Sequence, residues 1–128
     1  MSVTAGGLPG VTLRRVVEHI DANVHRAPRL TELSAIAHMS MFHFARLFKS
    51  STGLTPHRFV LRQRIEHAKR RLAGGDGSVA AVGRDAGFRN PSHFTNAFHR
   101  VTGVTPSEYR ARHAMAAEVP AAPGAEQP

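Results

Sequence analysis

Cysteine is absent from the 128 residues. That removes disulfides, thiolate nucleophiles and cysteine zinc ligands together, and leaves nothing that asks for an oxidising compartment. Tryptophan is absent too, and 7 Phe with 1 Tyr supply all the aromatic bulk, so the phenylalanines must build much of any core. No run of about 18 apolar residues occurs, and the opening MSVTAGGLPGVTLRR lacks the charged start and apolar stretch of an export signal. The sequence therefore predicts neither a membrane span nor secretion, and a cytoplasmic, nucleoid-associated protein is expected. Acids are scarce: 9 Asp plus Glu stand against 17 Lys plus Arg, for a formal net charge of +8. Fifteen of the cations are arginine, which points to a polyanionic partner.

No segment alternates apolar and polar residues with the period of a strand, whereas helical spacing recurs throughout. Leu13, Val16, Val17, Ile20 and Val24 line one face of a helix starting near Thr12, with Arg14, Arg15, Glu18 and Asp21 on the other. A second helix starts after Pro28 with Leu30, Leu33, Ile36 and Ala37 inward and ends near Met39. Ser40 can cap the next, which turns Phe44, Leu47 and Phe48 inward and stops at Gly53. Thr55 and Pro56 open a long helix through Phe59, Leu61, Ile65, Ala68 and Leu72 to Gly74 and Gly75. Ser78 caps a short helix with Val79, Val82 and Ala86; Asn90 and Pro91 start one with Phe94, Ala97 and Phe98, stopped by Gly103. Thr105, Pro106 and Glu108 form a capping box for a last helix through about Arg112. The expected fold is all-α, about seven helices, with mobile tails over residues 1–10 and 114–128.

The chain also resembles itself. Shifting by 50 residues aligns HFARLFKSSTGLTP (43–56) with HFTNAFHRVTGVTP (93–106), seven identities in fourteen positions, far above chance. Upstream the offset is 49, pairing Leu30 with Val79, Leu33 with Val82, Ala37 with Ala86 and Met39 with Phe88. The second copy therefore carries one extra residue in its turn. Each copy is a short helix, a tight turn, a second helix with an inward Phe-x-x-x-Phe, a Gly stop and a Thr-Pro helix start: a duplicated helix-turn-helix. The expected division is a first lobe over 11–54, a linker helix over 55–74 and a second lobe over 75–113.

The two copies, the linker residues Arg64, Ile65, Ala68 and Leu72, and above all VAAVGRDAGFRNPSHFTNAFHRVTGVTPSEYR resemble the DNA-binding domain of AraC/XylS-type bacterial transcription regulators. The resemblance covers about residues 11–113. It implies a transcription factor bound to double-stranded DNA through two recognition helices, and activation by contact with RNA polymerase. Family members usually carry a sensor domain as well. The start at Met1 and the Ala/Pro tail favour a free-standing protein over the DNA-binding half of a longer one.

In a helix-turn-helix the second helix enters the major groove, and only side chains opposite its core face reach the bases. The first copy offers Phe42, Ala45, Arg46 and Lys49; the second offers Ser92, Thr95, Asn96 and His99. Arg46 can donate bidentately to guanine O6 and N7, and Asn96 can pair with adenine N6 and N7. Phe42 and Ala45 could pack on thymine methyls, or Phe42 could fold back as a staple on its own turn. The resemblance leads one to expect Arg, then Phe and a basic residue, a pattern kept by Arg46, Phe48 and Lys49 but missing around Asn96. The first helix is thus expected to supply most base specificity and the second mainly to position.

Candidate phosphate contacts are Ser40, His43, Thr55, Arg62 and Arg64 in the first copy, and Asn90, His93, Arg100 and Thr105 in the second. Residues 41–71 hold eight cations (Arg46, Lys49, Arg58, Arg62, Arg64, Lys69, Arg70, Arg71) and one acid, Glu66. Lys69, Arg70 and Arg71 read as a solvated face, and Arg64 equally as a bridge to Glu66 or Asp85. Recognition helices reading successive major grooves on one side of a duplex should sit about 34 Å apart, and if held closer they require the DNA to bend. Unlike copies predict an asymmetric site bound by a monomer. The nine histidines lack metal-ligand spacing, and no cofactor or enzymatic activity is expected. The competing reading is a protein-interaction module of the transcription machinery without sequence-specific DNA binding.

Overall fold

The computed structural model describes residues 7–75 and 77–118. Among them are seven α-helices and no strand: α1 (Gly10–Ala22), α2 (Leu30–Ile36), α3 (Met41–Thr52), α4 (Pro56–Gly74), α5 (Val79–Asp85), α6 (Pro91–Thr102) and α7 (Pro106–Glu118). A 3₁₀ turn, Val24–Arg26, follows α1. No helix among the described residues is long and apolar enough to cross a membrane. The chain divides into two compact units between Arg64 and Ile65, inside α4. The helix expected as a separate linker thus contributes its first half to one unit and its second half to the other.

In the first unit Val16, Ile20, Leu33, Phe44, Phe48 and Val60 close a core, with Leu47 and Phe59 against its edge. Phe48 meets Phe44 tilted at 5.5 Å and Phe59 edge-on at 5.1 Å. The expected inward set is corrected at two places. Leu30 is 37% exposed at the start of α2, and on α4 Val60 rather than Leu61 is buried, because a helix entered through Thr55 and Pro56 turns positions 59 and 60 to Phe48. Within the expected N-terminal tail, residues 1–6 lie outside the described residues. Leu8 is buried, and its amide donates to Ser51 Oγ (2.8 Å), so α1 starts at Gly10 on an anchored segment rather than at a Thr12 cap.

In the second unit Ile65, Ala68, Leu72, Val82, Ala86, Phe88, Phe94, Ala97 and Phe98 are buried. Phe94 and Phe98 stack with Phe88 and Tyr109 in a chain of ring contacts 5.2 to 5.8 Å apart. Helix α7 runs past Arg112 to Glu118; the rest of the tail expected from 114, residues 119–128, lies outside the described residues. Arg110 ties α7 to the α4–α5 connection by donating to the Gly77 carbonyl (2.7 Å).

The copies match in atomic detail. Helices α3 and α6 are 12 residues each, α2 and α5 are 7. Gly53 and Gly103 end their helices at φ 84° and 87°, a left-handed conformation that favours glycine. Thr52 and Thr102 each donate to the carbonyl four residues back and accept the amide two residues on. Each turn closes with the same bond, Met39 N–H to Ser34 O (3.1 Å) and Phe88 N–H to Gly83 O (3.0 Å). The extra residue therefore falls after Phe88, at Arg89. The repeat continues beyond Pro56 and Pro106, since Phe59 and Tyr109 hold equivalent edge contacts to Phe48 and Phe98.

Candidate nucleic-acid interface

With Phe44 and Phe48 drawn inward, α3 leaves Phe42, His43, Arg46 and Lys49 exposed and Ala45 half-buried. Helix α6 repeats the pattern: Ser92, His93, Asn96 and His99 are exposed, Thr95 is half-buried, and Arg100 is exposed beside them. The candidate base-reading residues thus match pairwise in exposure, Phe42 with Ser92, Ala45 with Thr95, Arg46 with Asn96 and Lys49 with His99. Phe42 is 79% exposed, which excludes the staple, whose ring would be covered by its own turn.

The helix starts, alike in sequence, differ in how they satisfy their own amides. Ser40 accepts from one first-turn amide, that of His43 (3.1 Å). Asn90 accepts from two, Ser92 (2.8 Å) and His93 (3.2 Å), and Pro91 has no amide, so the α6 start has consumed its donors. Thr55 accepts from Arg58 N–H (3.3 Å). Thr105 accepts from Glu108 N–H (3.1 Å), and Glu108 returns the bond by accepting Thr105 N–H at Oε1 (2.9 Å). The Thr105 amide holds the Glu108 carboxyl below its ordinary pKa, so that amide is already taken by a carboxylate. The equivalent position in the first copy is Arg58. Extending the repeat two residues past Pro56 would have exposed this Arg-for-Glu inversion in the sequence.

Arg62 is exposed and Arg64 half-buried, and burial lowers the Arg64 guanidinium's pKa. Of the two acids considered for Arg64, Glu66 pairs with Lys69 (3.0 Å) and Asp85 with Arg71. The solvated face expected for Lys69, Arg70 and Arg71 is therefore corrected: only Arg70 of the three is fully exposed, because the long side chains of the other two reach acids one turn away and on α5. His93, which is exposed, also stacks edge-on against Phe88 at 5.6 Å. A cluster not foreseen joins three segments of the first unit, Glu32 accepting from Arg26 and bonding to the His19 ring. Arg26 and His19 hold the Glu32 carboxyl at about 2. Among the described residues no group of His, Asp or Glu converges as metal ligands do.

The Helix-turn-helix domain family matches residues 33–112. This chain is a member of that family, of the AraC/XylS type. It is 35% identical over 92 residues to the probable transcriptional regulator LumQ of Photobacterium leiognathi, covering 72% of this chain and 37% of LumQ. The DNA-binding domain of AdpA, solved in complex with a target DNA, superposes with a TM-score of 0.77 at 34% identity, over 82% of this chain and 95% of that domain. An AraC-type regulator from Chromobacterium violaceum superposes equally well (TM-score 0.77, 26% identity, 81% and 93% covered). The AraC-type chain spans only 13% to 39% of the length of eight curated relatives it matches.

Proposed function

We propose that this chain is a sequence-specific, double-stranded DNA-binding transcription regulator that inserts α3 and α6 into successive major grooves, with α3 dominating base choice. The observation carrying the reading is the pair of helices whose outward faces match position by position in exposure, on a fold shared with a domain solved on its target DNA. Arg46 reads guanine, with Phe42 against a thymine methyl. Three contrasts favour the first copy: Arg46 against Asn96, Arg58 against Glu108, and one consumed α3 amide against two at α6. Phosphates are held by Arg58, Arg62, Arg64 and the amides at the α3 and α4 starts. The second copy, its starts self-satisfied, reaches phosphates through Arg100 and His93 and reads weakly through Asn96, Ser92, Thr95 and His99.

Such a protein binds an asymmetric site as a monomer in the bacterial cytoplasm, and contact with RNA polymerase would make it an activator. Selection of bound duplexes from a random pool, followed by titration at several salt concentrations, tests this. A recovered asymmetric motif bound well above the electrostatic background is expected. Equal affinity for all duplexes would refute it and return the interaction-module reading.

A further inference from the structure

The first unit contains a cleft of about 430 Å³ that shares Ala45, Arg64 and the start of α4 with the proposed DNA-contacting surface. Residues 27–30, Leu33 and Val60 form its walls, the start of α4 (Thr55, Pro56, His57) one rim, and Ala45 of α3 its far side. The volume lies within the range of small-molecule sites. Two guanidiniums, Arg29 and Arg64, and the His57 imidazole stand among the lining residues, and none of the lining residues is acidic. Leu30, a large apolar side chain 37% exposed at the start of α2, also lines it. An apolar body with an anionic head is what such walls complement, and arginine forks a carboxylate.

We propose that this cleft is an effector site for a small organic monocarboxylate with an aliphatic or aryl body. Ala45 belongs both to the cleft and to the base-reading row of α3, so an occupant sets how α3 meets DNA; this part rests on the DNA-binding reading.

The probe is hexanoate, with hexanol as its neutral counterpart, titrated into the isotope-labelled full chain without DNA. Saturable shifts in the amide spectrum at Leu30, Ala45, His57 and Val60 are expected, with hexanol about tenfold weaker or more. H57E puts a carboxylate at the rim, at a helix start that favours acids, and should weaken hexanoate about tenfold while leaving the fold unchanged. Should H57E misfold, L30W, which fills the mouth from α2, carries the same expectation. Saturating hexanoate should then shift the affinity for the selected duplex. Hexanol binding as well as hexanoate, or shifts scattered over both units, would overturn the site. Hexanoate bound with duplex affinity unchanged would overturn its effector role. A chain that takes hexanoate but prefers no duplex would instead fault the DNA-binding reading.

Discussion

Gly83 and Ser34 hold the same place on the short helices of the two copies, and Gly83 faces the first inward phenylalanine of its copy. A Cβ on Gly83 would stand 2.6 Å from Phe94 Cδ2, closer than packing allows. Gly83→Ala should therefore destabilise the second unit by about 1–3 kcal/mol, read as a lower denaturant midpoint, whereas Ser34→Ala, where a Cβ already fits, should cost much less. Arg46→Ala should lose about 1–3 kcal/mol of specific affinity and relax one base position; an unchanged motif in the selection would count against Arg46 as a reader. Glu32 gives a pH signature. Its carboxyl lies at about 2 instead of 4.5, held by Arg26 first and His19 second. A depressed acid stabilises fully above its ordinary value and loses that contribution as protons bind. Stability of the first unit should fall between about pH 4.5 and 2, and Glu32→Gln should flatten that limb in residue-resolved hydrogen exchange.

Most helices could be read from their caps. Ser40, Ser78 and Asn90 accept the expected amides and Gly53 and Gly103 stop α3 and α6, because these signals act within four residues of chain. What escaped depends on partners far along it. Val60 is buried by Phe48's neighbourhood, Leu8 by Ser51, and the Glu32 cluster assembles three segments. The exposed face of the site was legible, since burying Phe44 and Phe48 leaves only one face to present. The filling of amides at the helix starts was not, because Asn and Ser both read simply as caps. The Arg58 and Glu108 contrast is testable at this scale. Arg58→Glu should create a second capping box, holding the α4 start more firmly, yet weaken DNA binding and reduce the salt slope by about 0.9 for each phosphate no longer neutralised. An unaltered salt slope in anisotropy titrations would remove Arg58 from the interface.

Across the whole molecule, one supersecondary unit is written twice with the same stops, turns and ring contacts, while its outward faces diverge. An outward face free to change without disturbing Phe44, Phe48, Phe94 or Phe98 is what the proposed reading of different bases from one scaffold requires. The division inside α4 bears on how the molecule melts. Phe59 and Val60 serve one core, Ile65, Ala68 and Leu72 the other, and the hydrogen-bonded turns between them belong to a single continuous helix. Unwinding either half strips turns from its neighbour, so heat should abolish both copies in one calorimetric peak rather than two, and Val60→Ala should lower protection of amides beyond Ile65 as well as before it.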